Sequence, residues 1–156
     1  MEHALLQRLA TLEGESAVRR LMARYMDLCD VPRALTHVSD LARLFTEDAI
    51  WEGIGSQTAQ TFGQHRGREA VAAFVGGYLP PSEHFRLNLH YLTSESIVVD
   101  ADQAQGQWIM QQISTYADGR SELFGTRLNI DFRCVDGTWL IAHLRTQRLF
   151  NRELSA

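Results

Sequence analysis

Lysine is absent, and all fifteen basic residues of this 156-residue chain are arginine. That excludes Schiff-base chemistry, P-loop phosphate binding and lysine general bases together, and leaves His, Asp, Glu or Tyr for any proton transfer. Cysteine is scarce. Cys29 and Cys134 are too few for a disulfide scaffold or a four-cysteine zinc site and read as reduced thiols, with a single bridge between them left open. Charge of one sign is never concentrated: fifteen basic against nineteen acidic residues give a formal −4 without blocks. No patch therefore collects nucleic-acid phosphates or anionic lipid, and both are set aside as partners. No apolar run approaches the ~18 residues of a bilayer span. Met1–Arg8 lacks the apolar core of a signal peptide, so a cytoplasmic location is expected. With 45% hydrophobic and 22% charged residues, no internal repeat and no linker, residues 1–156 read as one ordinary globular domain.

What is present falls into a helical first part and an extended second part. Val18, Leu21, Met22, Tyr25 and Cys29 form one helical apolar stripe, with Arg19, Arg20 and Arg24 off it. Glu13–Ser16 predicts a break between this helix and an earlier one carrying Leu5, Leu6, Leu9 and Leu12, because glycine costs about 1 kcal/mol inside a helix. The second helix ends near Asp30, since Pro32 disfavours helical geometry at Val31. A short helix capped by Thr36 or Ser39 turns Val38, Leu41, Ala42 and Leu44 inward. Ala49–Glu52 and Thr58–Phe62 read as a hairpin joined through Gly53–Ser56, and Arg68–Val75 as a short helix ending at Gly76-Gly77. From Phe85 onward, turn signals at 100–102, 118–120 and 136–137 separate four long strands of an antiparallel meander. Such strands must bend, with Gly106 and Gly125 as the expected points. The fold class is α+β: N-terminal helices held in a strongly curved, mostly antiparallel sheet, a cone with a pocket at its open end.

Few residues in this frame offer chemistry. Asp27 and Asp30 lie in the last helical turn, where the macrodipole disfavours negative charge by ~0.3–1 kcal/mol. Solvation suffices for Asp27; Asp30, beside the helix break at the mouth of the cone, fits solvation and function equally. His90 shares a strand face with Arg86 and Asn88, opposite Leu87, Leu89 and Tyr91. A lone strand histidine is more often a hydrogen-bonded structural residue than a base. A metal site is not expected: His84 and His90 stand roughly 20 Å apart along an extended strand, and neither HExxH nor CxxC occurs. Gly53–Ser56 fits neither a nucleophile elbow nor a dinucleotide fingerprint. The Asp30 carboxylate blunts Cys29 as a nucleophile. Trp51, Trp108 and Trp139 read as core or pocket wall.

Four segments in order carry a resemblance: Ala17–Tyr25 leading to Asp30, Leu44–Trp51, Gly67–Val71, and Asp136–His143. Together they resemble a SnoaL-like domain of the nuclear transport factor two superfamily over about residues 12 to 150. The branch most similar holds scytalone dehydratase, bile-acid dehydratase and hexachlorocyclohexane dehydrochlorinase. The resemblance implies an Asp–His dyad at Asp30 and His90, with Tyr25 as the tyrosine five residues before the Asp and an aromatic pocket wall at Trp51. It implies a lyase of the dehydratase type, without cofactor or metal, acting on a small, largely apolar, oxygenated ring compound. An isomerase or polyketide cyclase using the same dyad, and a non-catalytic ligand-binding or small-subunit relative, are the alternatives within the superfamily.

The expected pocket lining is Tyr25, Trp51, Asn88, His90 and Met110, the last because its strand lies beyond the Gly106 bend. One departure stands out. Relatives carry a pocket arginine where this chain has Leu144; Arg145 belongs to the opposite strand face, and Arg148 shares the face of Leu144 further along. The resemblance also implies a homotrimer, and the apolar face of Leu87, Leu89 and Tyr91 calls for a covering partner.

Overall fold

The computed structural model describes residues 1–33 and 39–155. The expected cap at Thr36 or Ser39 and the inward Val38 lie outside the described residues and side chains. The N-terminal stripe forms α1 (Glu2–Cys29), which buries Val18, Leu21, Met22, Tyr25 and Cys29 together with Met26 and Leu28. The arginines beside the stripe and Asp27 are exposed. The expected break at Glu13–Ser16 does not occur. Gly14 is buried where α1 first meets the sheet, and a Cβ there would sit 3.0 Å from a methyl of Val99 and 3.4 Å from the Trp139 ring. Close packing thus outweighs the local cost of glycine, which is only about 1 kcal/mol. The preceding turns, with Leu5, Leu6, Leu9 and Leu12, are exposed.

α1 stops where Pro32 requires it, with Asp30 already extended at φ −70° and ψ 148°. The chain then pairs with the first strand of the meander through Val31 and Asn88, whose N–H and C=O groups exchange two hydrogen bonds of 2.8 Å. That bridge fixes where the helix end lies on the sheet.

After α2 (Ser39–Ala42) come β1 (Phe45–Gly53), α3 (Ser56–Phe62), β2 (Gln64–Arg66) and α4 (Arg68–Gly76). The expected strand at Thr58–Phe62 is therefore a helix, and the expected hairpin is corrected. Its five residues alternate as a strand would, but Gly55 and Gly63 bound the segment at φ 79° and 65°. The i, i+4 pair Thr58 and Phe62 then faces the interior. The antiparallel partner of β1 is β2, with Trp51 opposite His65.

β3 (Phe85–Asp100), β4 (Gln103–Tyr116), β5 (Ser121–Val135) and β6 (Thr138–Leu154) form the meander, and β1 joins β6 in parallel to complete the order β2-β1-β6-β5-β4-β3. The result is an α+β fold in which a curved, unclosed six-stranded sheet wraps α1. Gly125 is a bend as expected, since the β5–β6 register shifts between Gly125 and Thr126. Gly106 is not. Its register is continuous, and it makes room for the Trp108 ring, which a Cβ would meet at 2.3 Å. The bend in β3 instead lies between Thr93 and Ser96, around Ser94 at φ 51°. Trp108, Phe45, Phe132, Met22 and Leu28 centre the core between α1 and the sheet. Among the described residues no helix is long and apolar enough to cross a membrane.

Candidate active site

The Val31–Asn88 bridge carries Asp30 to His90, sixty residues away in sequence. One oxygen, Asp30 Oδ1, accepts both the His90 backbone N–H at 3.0 Å and a hydrogen bond from His90 Nδ1 at 2.8 Å. A carboxylate is acceptor-only, so this contact selects the tautomer in which a neutral imidazole donates from Nδ1 and carries its lone pair on Nε2. His90 lines a cavity of about 800 Å³, whereas Asp30 stands behind it and does not. A carboxylate placed behind the ring can hold its orientation without occupying the cavity.

Tyr25, Trp51, Asn88 and Met110 line the same cavity. Trp51 Nε1 donates to the Tyr25 hydroxyl at 3.0 Å in a buried contact. Burial, reinforced by the neighbouring Cys29, pushes the Tyr25 phenol well above its ordinary range against the opposing Trp51 N–H. It is therefore a neutral O–H donor. Burial likewise pushes the Cys29 thiol up to about 12, with Asp30 adding to the effect and Tyr25 opposing it. Cys29 is thus a protonated wall residue. It and Cys134 are both free, so the bridge left open by the sequence does not form.

Asn88 is buried, and its side-chain oxygen accepts from Gln112 Nε2 at 2.8 Å and from Ser114 Oγ at 2.7 Å. Two donors on that oxygen leave the Asn88 amide N–H₂ for the cavity. Gln112 and Ser114 were not anticipated. The signal lay in β4 itself, because Met110, Gln112 and Ser114 share one strand face, and the register puts Gln112 opposite His90 and Ser114 opposite Asn88.

The other end of the cavity is lined by Tyr116, Glu122, Phe124, Arg148 and Asn151, with the exposed Asp118 and Arg120 at the rim. Leu144 is buried in the wall. Arg145 lies on the opposite face, where it contacts Asp131 at 2.9 Å and His143 Nδ1 at 2.7 Å. Of the two arginines near Leu144, Arg148 is the one that reaches the cavity. Among the described residues no three His, Cys, Asp or Glu side chains converge to hold a metal.

A curved sheet closed on one side by a helix, with a carboxylate-backed histidine at the wall of the cavity, defines an α+β cone. The SnoaL-like domain model matches residues 10–145, and the chain belongs to that family. No curated protein matches it. Among solved structures, hexachlorocyclohexane dehydrochlorinase LinA-type3 from Novosphingobium barchaimii superimposes with a TM-score of 0.77 at 20% identity, covering 97% of this chain and 94% of that one. A candidate scytalone dehydratase from Novosphingobium aromaticivorans gives 0.76 at 20% identity, covering 93% and 90%. An NTF2-like protein with a cystatin-like fold from the same organism gives 0.73 at 22% identity, covering 93% and 88%. Likeness at this identity establishes the fold.

Proposed function

We propose that this protein is a cofactor-independent lyase of the dehydratase type, in which His90 removes a carbon-bound proton from a small oxygenated ring compound. The observation that carries the reading is the 2.8 Å contact from His90 Nδ1 to Asp30, which leaves Nε2 as the basic nitrogen beside the cavity. Asp30 holds the tautomer and stabilises the imidazolium that forms on proton transfer. The electron pair of the broken C–H bond forms the new C=C bond, and the C–O bond at the neighbouring carbon breaks with its pair going to oxygen. Tyr25, kept neutral by burial, donates to the departing hydroxyl or to a carbonyl that acidifies the C–H. The leaving hydroxyl takes its proton from Tyr25, which is then reprotonated from the His90 imidazolium, or, where Tyr25 serves the carbonyl, directly from that imidazolium. It departs as water, and His90 is returned neutral. Trp51, Met110 and the aliphatic wall exclude bulk water and favour a largely apolar ring, and the Asn88 amide orients one of its oxygens.

The test is a panel of cyclic β-hydroxyketones in deuterated buffer, followed by NMR. Loss of water to the enone, abolished in His90→Ala, is the expected result. Exchange of the ring proton for deuterium without elimination favours an isomerase or cyclase using the same dyad. Binding of these ketones with neither exchange nor elimination overturns the enzymatic reading and favours a non-catalytic ligand-binding relative.

A further inference from the structure

The cavity has a second polar end whose chemistry the proton transfer does not use. The Arg148 guanidinium lies 4.4 Å from the Phe124 ring centroid and 5.9 Å from that of Phe62. Its backbone N–H is fixed by the buried Thr58 hydroxyl at 2.9 Å. Among the described residues no carboxylate oxygen lies within 4.0 Å of its guanidinium nitrogens. The acidic groups nearby are committed elsewhere. Asp118 pairs with Arg120 at 2.9 Å, and Glu122 lies 3.8 Å from Arg120 and accepts from the Tyr116 hydroxyl at 3.4 Å.

An arginine is charged at any ordinary pH, and a half-buried charge is normally paired. Two aromatic rings attract the cation through their faces but offer its N–H groups nothing to bond. Its five donors are therefore left for whatever enters the cavity.

We infer that Arg148 is a specificity residue that receives a carboxylate on the substrate, at the end of the molecule remote from the carbon that faces His90. A carboxylate matches the planar fork of a guanidinium in two parallel hydrogen bonds, which a neutral carbonyl cannot do. The register sets the spacing. His90 pairs with Gln112, and Gln112 with Phe124, over which the guanidinium lies. Two strand spacings make the separation on the order of 10 Å, within reach of a one- or two-ring carboxylic acid. This deepens the proposed function by naming a substrate class, and it rests on the cavity being a small-molecule site.

The experiment is calorimetric titration of the full chain with 2-naphthoate and with 2-naphthamide, which differ only in the charged group. The wild type should bind the acid at least tenfold more tightly, and added salt should weaken the acid alone. Arg148→Leu should bring the two within about twofold while keeping amide affinity. Arg148→Gln, which keeps a polar side chain, should do the same, with circular dichroism confirming that both variants fold. His90→Ala should retain the preference. Equal affinity for acid and amide in the wild type, absence of binding of either, or a preference that survives in both Arg148 variants overturns the inference. Elimination from neutral ring ketones without acid preference removes this inference and leaves the lyase. An Arg148-dependent preference in a protein without elimination activity does the reverse.

Discussion

Two histidine–carboxylate pairs lie on opposite faces of one sheet, and they are built to different ends. His90 and Asp30 meet at 2.8 Å on the cavity side; His143 and Glu52 meet at 2.7 Å on the outer side. Burial does not separate them, because the side chains are 10% and 21% exposed in the first pair and 22% and 21% in the second. The difference is what the other ring nitrogen does. Arg145 donates to His143 Nδ1 at 2.7 Å, so the ring proton is on Nε2, which donates it in a hydrogen bond to Glu52. Both nitrogens are then engaged. Gln64 and Asp131 extend the network by bonding Glu52 and Arg145. A saturated imidazole is a strut between strands, whereas one with a spare lone pair beside a cavity is available as a base.

The largest expected effect breaks the comparison on the cavity side. His90→Ala should lower turnover by about 10²–10⁴-fold, the usual worth of a positioned general base. Asp30→Asn should lower it by less, since the imidazole remains but its tautomer is no longer enforced. The double variant should be no worse than His90→Ala, because the two residues act as one unit. Steady-state kinetics on a substrate from the ketone panel checks this, and losses that multiply would count against a shared role.

Much of this arrangement was legible in the sequence where the signals are local. The α1 stripe, its stop before Pro32 and the turns at 100–102, 118–120 and 136–137 all depend on near neighbours and appear as read. Thr58–Phe62 was misread because five residues satisfy strand alternation and a helical i, i+4 pair alike, and the glycines at its ends decide between them. Gly14 was misread because its neighbours Val99 and Trp139 arrive from distant strands. The site divides the same way. Tyr25, Trp51, Asn88, His90 and Met110 line the cavity as expected. Gln112 and Ser114 share the β4 face of Met110, and Arg148 the β6 face of Leu144, but their meeting with His90, Asn88 and Phe124 depends on strand register, which no local signal specifies. The aromatic bracket that fixes Arg148 includes Phe62, from the very segment misread as a strand.

The next effect tests the donor. Tyr25→Phe should reduce turnover by about 100-fold or less, with water partly replacing the phenol. It also strips the buried Trp51 N–H of its acceptor. A loss of about 1–3 kcal/mol in unfolding free energy should accompany it, measured by urea denaturation.

On the outer face the order of effects should invert. His143→Ala removes the partner of Glu52 and Arg145 without touching the cavity. Turnover should stay within about twofold of wild type, while stability falls by about 1 kcal/mol, the ordinary worth of such hydrogen bonds at a half-exposed site. If His143→Ala abolished turnover in a folded protein, the distinction between strut and base would collapse.

The smallest effect is a pH dependence confined to the strut. Burial works to raise the Glu52 carboxyl, but hydrogen bonds from His143 and Gln64, with the charge of Arg145, hold it below its ordinary range. A carboxyl depressed in the folded state stabilises the fold above its unfolded pKa of about 4.3, and that contribution disappears as pH falls through the lower folded value. Glu52→Gln keeps an acceptor for His143 but cannot ionise. The melting-temperature gap between wild type and Glu52→Gln should therefore shrink as pH falls below about 4. A gap that widens on acidification would mean that Glu52 is protonated more readily folded than unfolded, and that burial rather than the network governs it.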